Sequence, residues 1–473
     1  MKCAGVRVSG MGAVVDKAKQ AVQLAAMRLK GSFATLSVLG IVLAAFALTG
    51  CSSASRFNEI EGVGASPKLP APDPSLIPTV NVAPAVGWSS DAAPTPVAGT
   101  AVVAFARGLN HPRWLYVLPN GDVLVAETNA PPGSSGTTGI KGWFFKRYQK
   151  KAGGASPSAN RITLLRDADG DGVAEVRAPF LAGLNSPFGM ALVGNLLYIA
   201  NADAVVKVPY VTGQTEISAA VTNVTDLPQG SHNHHWVKNI LASPDGKRLY
   251  AAIGSNSNVA ENGMHEEEGR AAIWEIDLAT GSKRPFATGL RNPVGMAWEP
   301  ESGALWTAVN ERDELGNDLV PDYMTAVRDG GFYGWPYSYY GANVDERVKP
   351  PRPDLVATAI VPDYALGSHT ASLGLAYSAA NTLPPALQRG MFIGQHGSWN
   401  RKPRSGYKVI FVPFSGGKPS GPPVDVLTGF VTADGKAMGR PVGVTVDARG
   451  GLLVADDVGN TVLRVSGMTR MTR

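Results

Sequence analysis

Cysteine is almost missing from this 473-residue chain, which has two, Cys3 and Cys51. Once a leader containing Cys3 is removed, Cys51 stands alone, so no internal disulfide can brace the fold and stability must come from burial. Charge is sparse as well, at 17% Asp, Glu, Lys and Arg. The net charge of +5 comes from scattered Lys and Arg, with no basic run interleaved with aromatics, which argues against a nucleic-acid partner. Long amphipathic helical patterns are absent beyond residue 60. No Gly-x-Gly-x-x-Gly opens a strand–helix unit, which excludes a dinucleotide-binding domain of that type. Glycine and proline, by contrast, are plentiful, at 55 and 35 residues. That composition fits a turn-rich all-β protein long enough to bury a large core.

One local pattern returns six times. A polar or Gly-containing lead-in is followed by a short apolar run, a tight turn and a second apolar run ending in polar residues. It reads GLNHPRWLYVLPNGDVLVAETN from Gly108, GLNSPFGMALVGNLLYIANAD from Gly183 and HHWVKNILASPDGKRLYAAIGSN from His234. It continues as GLRNPVGMAWEPESGALWTAVNE from Gly289, a split copy from Thr370 ending in GMFIGQHGSWN, and GRPVGVTVDARGGLLVADDVGN from Gly439. Each copy predicts a β-hairpin around a Pro-Asn-Gly, Pro-Asp-Gly or Arg-Gly-Gly type of turn. Copies recur roughly every 50 to 80 residues, a spacing that suits four-stranded blades with long insertions. A blade cannot bury both faces alone, so the pattern predicts an all-β, six-bladed β-propeller.

The N-terminus reads differently. Residues 32–50 form an apolar run next to Arg28 and Lys30, ending Leu48-Thr49-Gly50-Cys51. Small residues before a Cys, after a basic and then an apolar stretch, have the form of a bacterial lipoprotein signal with Cys51 as the lipidated residue. An ordinary transmembrane anchor is the alternative, for which the run is barely long enough. The basic flank lies far from Met1, which makes Met27 a candidate start. Residues 51–100, rich in Pro, Ala and Ser, read as a flexible tether, and residues 101–473 as the propeller. These features predict an exported lipoprotein held at the periplasmic face of the cell envelope, on the outer membrane.

Three of the seven histidines fall within four positions, His232, His234 and His235, just before the third hairpin. At a strand entering a propeller's channel, a neutral imidazole at His235 could take a proton from an alcohol. A structural polar residue or a metal ligand remains the alternative reading. Strand alternation would let at most His232 and His234 share a side. Arg291, opening the fourth repeat, is suited to grip a carboxylate, and the polar loop from Asn310 to Asp318 offers oxygens to a hard cation; solvated turns are the bland alternative. Asp167, Asp169, Asp171 and Glu175 carry the oxygen spacing of a small Ca²⁺ loop, although an Asp-rich turn without metal gives the same sequence. Glu266, Glu267 and Glu268 read as a solvated loop.

Gly-Leu-Arg291-Asn292-Pro-x-Gly-x-Ala, a polar loop, then Gly-Gly-x-Tyr333-Gly-Trp335-Pro336, together with the His234-His235 segment, resembles the soluble pyrroloquinoline-quinone-dependent glucose dehydrogenase family. The L-sorbosone dehydrogenase branch and pyranose dehydrogenase modules are the nearest look-alikes, over about residues 100–467. The resemblance implies pyrroloquinoline quinone and Ca²⁺ as cofactors, a sugar or sugar aldehyde as substrate, and an electron acceptor that the sequence does not identify. By position it implies His235 as the base and Arg291 as a quinone contact that polarises the reaction, with Asn292 beside it. It further implies Glu311 and Arg312 as backbone-carbonyl ligands of the catalytic Ca²⁺, and Arg440 as a carboxylate-binding arginine. His369, Thr370, Trp399 and Arg401 fall in segments that should line the cofactor pocket.

The chain departs from the glucose-active members at three points. His234 replaces an Asp before the base, Leu184 replaces a substrate-contacting Gln, and a cofactor-binding lysine has no clear counterpart, with Arg401 or Lys402 left to serve. These departures disfavour glucose. Two other classes stay open on sequence alone: a metal-dependent lactonase of another six-bladed type, and a non-catalytic propeller that binds a partner in the envelope.

Overall fold

The computed structural model describes residues 54–74, 79–90, 92–134, 147–229, 232–378 and 382–468. The leader and Cys51 lie outside the described residues. Six antiparallel sheets of four principal strands follow one another along the chain. Their innermost strands are Pro112–Val117, Met190–Val193, Lys238–Ala242, Pro293–Trp298, Ser372–Ser378 and Pro441–Val446, numbered here as blades one to six. Each inner strand touches the next blade's inner strand, and the sixth touches the first, so the sheets close into a ring. The predicted hairpins are the two inner strands of every blade, as the six-fold repeat requires.

Alternation explains the blades. In blade one the second strand, Val123–Glu127, is buried along its whole length, as is Leu452–Asp456 in blade six. Clusters of Leu, Val, Ile and aromatic side chains fill the space between adjacent blades, for example Trp114, Phe180, Phe188 and Leu197 between blades one and two. Burying such side chains stabilises by about 1.5–3 kcal/mol each. Strands of one sheet pair along their length, so the weak point of any propeller is closure. Here Thr100–Ala106, from the start of the domain, pairs antiparallel with Thr461–Gly467 as the outer strand of blade six.

A glycine at the start of four blades, preceded by Pro-x in three of them, sets the channel. A Cβ on Gly189, Gly295, Gly374 or Gly443 would collide with the backbone of the adjacent inner strand: Ile240, Leu375, Val442 and Arg113 respectively. Only a residue without a side chain lets the inner strands approach so closely.

The described residues between 54 and 100 overturn the expectation of a free tether. Val63–Gly64 pairs with Tyr364–Ser368 and Thr95–Pro96 pairs with Val424–Thr428, adding edge strands to blades four and five. Val82 and Ala83 are buried, and Trp88 donates to Asp456 at 2.6 Å. Composition misled because short edge strands and aromatic anchors need no periodicity; a few paired backbone groups fix the segment.

Candidate active site

Antiparallel pairing has a simple consequence. Each inner strand starts, and each second strand ends, at the same end of the ring. Residues just before the first or just after the second therefore gather on one face, around one channel mouth. His111, His235, Arg291, Asn292, Thr370 and Arg440 precede inner strands, while Ser255, Asn310, Glu311, His396 and Asp457 follow second strands.

His235 comes with a defined tautomer. Its Nδ1 lies 2.7 Å from the Ser255 carbonyl and 3.0 Å from Ser255 Oγ. A carbonyl only accepts, so Nδ1 carries the hydrogen and Nε2 is left as the acceptor in the neutral ring. Burial holds the imidazole well below its ordinary pKa, and the Arg291 charge and His234 add to this. His234 packs edge-on against it, with ring centroids 4.8 Å apart, and is itself lowered to about 4, first by burial and then by Arg291. Gly254 makes the approach possible, because a Cβ there would collide with Asn292 Oδ1 and His235 Cβ. Asn292 Oδ1 has no hydrogen-bond partner although buried.

Arg291 is fully buried. Nη1 donates to the Glu311 carbonyl at 2.6 Å and the Asn310 carbonyl at 3.2 Å; Nη2 donates to Asn258 Oδ1 at 3.1 Å and lies 3.5 Å from Asp313 Oδ2. Its Nε is unpartnered. The Glu311 carboxyl is pushed up to about 8 by burial and accepts from the Arg312 amide. The Arg312 side chain is buried against Asp345 at 2.7 Å.

Across the mouth stands a group that sequence reasoning missed. Asp457 accepts from Arg113 Nη1 at 2.8 Å and from His396 Nε2 at 3.0 Å, with His111 Nε2 3.5 Å away. Burial alone would raise the carboxyl, but His396, His111 and Arg113 hold it far below the usual range. The Arg113 guanidinium also lies 5.8 Å from the Trp236 ring, beside His235. Arg440 stacks over Tyr407 at 5.0 Å and donates to its hydroxyl at 3.0 Å, leaving Nε unpartnered. His111, His396 and Asp457 were findable: they occupy the same repeat positions, before the inner strand or after the second, as the ones singled out.

Other expected pocket residues have different roles. Thr370 is fully buried, its hydroxyl donating to Asp322 and shared with Ser372, a clip between blades. Arg401 donates to the carbonyls of Asn317 and Pro403 and to Ser55 Oγ, so it pins the N-terminal segment rather than facing the channel. Neither was separable in sequence from a pocket residue, because their partners lie far along the chain. His369 is held between Asp313 Oδ1 at 3.3 Å and the Gly316 carbonyl at 2.8 Å, both ring nitrogens engaged. Trp399 is 39% exposed. The Lys402 amide donates to Asn317. Leu184 is buried in the core between blades one and two.

Asp167, Asp169, Asp171 and Glu175 converge, with ligand atoms within 4.8 Å of one another, and are the only such acidic or His/Cys group among the described residues. They lie between the third and fourth strands of blade one, at the end of the ring opposite the mouth, and Arg449 already pairs with Asp167 at 2.9 Å. Among the described residues, no other trio of His, Cys, Asp or Glu side chains converges in this way.

The donor set at the mouth suits an anionic, carboxylate-bearing cofactor. Three buried guanidinium groups carry unpartnered Nε atoms, and neutral imidazoles stand beside them. A divalent cation at the Glu311 carbonyl fits less well, since that oxygen already accepts from Arg291.

The chain matches the family model described as TrAA12-like over residues 94–325 and 356–467. A Borreliella burgdorferi protein described as uncharacterized is 30% identical over 298 residues, 60% of this chain and 76% of the relative. A Coprinopsis cinerea pyrroloquinoline quinone-dependent pyranose dehydrogenase is 24% identical over 236 residues, 41% of this chain; the match spans about a third, 32%, of that protein. Among solved structures, the holo pyranose dehydrogenase PQQ domain from Coprinopsis cinerea superposes with a TM-score of 0.62 at 20% identity, covering 81% of this chain and 100% of that one.

Proposed function

The chain belongs to the TrAA12-like family, and from that premise we propose that it is a quinoprotein dehydrogenase that oxidises a sugar or sugar aldehyde with bound pyrroloquinoline quinone. The quinone, when bound, supplies the two-electron acceptor for hydride from the substrate carbon. The protein does the rest. His235 Nε2 takes the hydroxyl proton, its lone pair kept free because Nδ1 is committed to the Ser255 carbonyl. That one hydrogen bond is the observation on which the reading rests. Arg291, Arg440 and Arg113 are suited to hold the cofactor's carboxylates and oxygens, with Asn292 Oδ1 as a neighbouring acceptor. The resemblance also brought His369, Thr370, Trp399 and Arg401 to this pocket; His369, Thr370 and Arg401 are held by protein partners, and Trp399 is exposed.

Ca²⁺ enters no step. A cation on the Glu311 or Arg312 carbonyls would stand beside a buried guanidinium that donates to the first of them at 2.6 Å. The Asp167–Glu175 loop retains its reading as a structural Ca²⁺ site, remote from the chemistry. Lipidation of Cys51 would keep the enzyme on the envelope membrane, where it would pass electrons to an acceptor. A Cys51→Ser chain is then released to the soluble fraction.

The test is the visible absorption of the purified protein with added quinone, with and without Ca²⁺ or a chelator, followed by a panel of aldoses and sugar aldehydes with an artificial dye. A bound chromophore that one of these substrates bleaches supports the reading. A protein that binds no quinone under either condition rejects it.

A further inference from the structure

Behind His235, two buried cations converge on the loop that carries it. Arg270 and Lys238 are 5% and 0% exposed, and neither makes a hydrogen bond to a carboxylate. Burying a cation away from an anion is costly, so the oxygens around these two must compensate. Arg270 Nη1 donates to the carbonyls of Pro228 and Gln229, both at 3.1 Å. Its Nη2 donates to Asn233 Oδ1 at 2.9 Å, the His235 carbonyl at 3.1 Å and the Ser255 carbonyl at 3.4 Å. Lys238 Nζ reaches two of the same groups, the His235 carbonyl at 3.2 Å and Asn233 Oδ1 at 3.4 Å, and also the Trp236 carbonyl at 3.4 Å.

Two of these oxygens matter. The His235 carbonyl takes a hydrogen bond from each cation, which fixes the backbone of the base. The Ser255 carbonyl accepts from both Arg270 and His235 Nδ1, so a single atom links the guanidinium to the imidazole.

We propose that Arg270 and Lys238 are positioning residues that lock His235 in its Nδ1–H tautomer and keep its ring neutral. A positive charge on the Ser255 oxygen opposes the second positive charge that protonation of His235 would create. Among the other charged or titratable groups, Arg291 and His234 beside the ring act the same way, whereas Asp313 and Glu261 act on His234 in the opposite direction. Glu267 and Glu266 are the acids whose charge acts on Arg270, and Asp203 the one that acts on Lys238. The clamp therefore supplies orientation and electrostatic bias from outside the reacting group.

The inference rests on reading His235 as the base, but its main test needs neither quinone nor substrate. In the full chain with ¹⁵N-labelled histidine, the His235 ring signals are assigned by their loss in His235→Asn and titrated by NMR. Arg270→Gln is expected to raise the His235 titration midpoint by about half a pH unit or more and to mix the two tautomers. Lys238→Met is expected to shift the midpoint in the same direction by less, while leaving the Arg270 hydrogen bonds in place. Arg270→Lys, which keeps the charge but loses the planar fork, is expected to leave the midpoint unchanged and blur the tautomer. In the quinone-loaded enzyme, Arg270→Gln should lower kcat about 10–100-fold with KM within about threefold, and shift the acid limb of the pH profile by the NMR amount. A midpoint and tautomer unmoved in Lys238→Met and Arg270→Lys, or an activity loss that follows thermal stability alone, overturns the proposal. NMR shifts without any sugar oxidation would sink the dehydrogenase reading and leave the clamp standing.

Discussion

Two histidines flank the same channel mouth and have opposite surroundings. His235 gives one nitrogen to a neutral carbonyl, leaves the other bare, and faces Arg291, Arg270 and Lys238. His369 has an acceptor at each nitrogen, Asp313 and Gly316 O, so it sits in a cradle that only an imidazolium fills completely. Burial pushes both toward the neutral form. For His235 nothing outweighs that push, and its pKa falls; for His369 the hydrogen bond and charge of Asp313 win, and its pKa rises. The residue type is the same, yet one environment favours a neutral ring and the other a cation that braces Arg291's partner Asp313. Chemistry at this mouth is decided by what stands behind each side chain.

The largest effect should come from exchanging the bare nitrogen. His235→Asn keeps a donor toward Ser255 but has no basic nitrogen, so dye-linked sugar oxidation should fall about 10²–10⁴-fold. Quinone binding, read from absorption, should stay within a few-fold of the wild type. His369→Asn should do the reverse, weakening the fold or the quinone site while leaving the pH dependence of residual turnover alone. If His369→Asn instead abolished turnover with quinone still bound, the roles assigned to the two rings would have to be exchanged.

Removing the anion on the other side should be felt mainly as stability. Asp313→Asn leaves His369 and Arg291 facing one another without a carboxylate, and breaking such a buried pair costs about 3–5 kcal/mol. Denaturant unfolding measures it. A loss under about 1 kcal/mol would mean that the pair is already solvated and that His369 is not a buried cation.

The two environments also predict opposite pH slopes. His235, His234, His111 and His396 all have depressed folded pKa values, about 4 for His234 and His111, set mainly by burial. Below roughly pH 6.5 the unfolded chain binds protons at these sites that the folded chain refuses, so stability falls as pH drops from there toward 4. His369 has a raised value, so its contribution is complete below its unfolded pKa and fades as pH climbs through the folded one. Thermal melts across this range should show a strong acid-side loss in the wild type, and His369→Asn should flatten only the alkaline side. A wild-type Tm that holds level from pH 6.5 to 4 would contradict the neutral, buried state of the four.

Much of this architecture could be read in the chain beforehand, and the reasons are local. Hairpin turns and alternating apolar runs are short-range signals repeated six times, so the propeller followed from them. His235 and Arg291 were singled out as residues before an inner strand, and Arg440 through the family resemblance; all three fall at that same repeat position. The rule was applied unevenly: His111, His396 and Asp457 occupy equivalent repeat positions and were passed over because no motif marked them. Other features were not legible at all. Whether a side chain faces the channel or a neighbouring loop depends on partners hundreds of residues away, as Ser55 is for Arg401. The same is true of the segment before the propeller, whose low periodicity concealed edge strands.

Two arginines carry the contrast to its smallest scale. Arg440 keeps an unpartnered Nε at the mouth, whereas Arg401 donates to Asn317 O, Pro403 O and Ser55 Oγ at 2.8–3.0 Å. Ser55→Ala removes one of those acceptors and should cost about 1 kcal/mol, with quinone affinity unchanged, since that hydrogen bond anchors the N-terminal segment and not the cofactor. Arg440→Gln should instead weaken quinone binding about tenfold or more and barely move Tm, because a charged donor to an anion is lost and the Tyr407 hydroxyl can still be reached by the amide. Equilibrium titration of quinone into the two variants, beside their melting curves, separates the roles. Equal losses of quinone affinity in both would mean that the N-terminal segment shapes the pocket after all, and would return Arg401 to the cofactor side of the comparison.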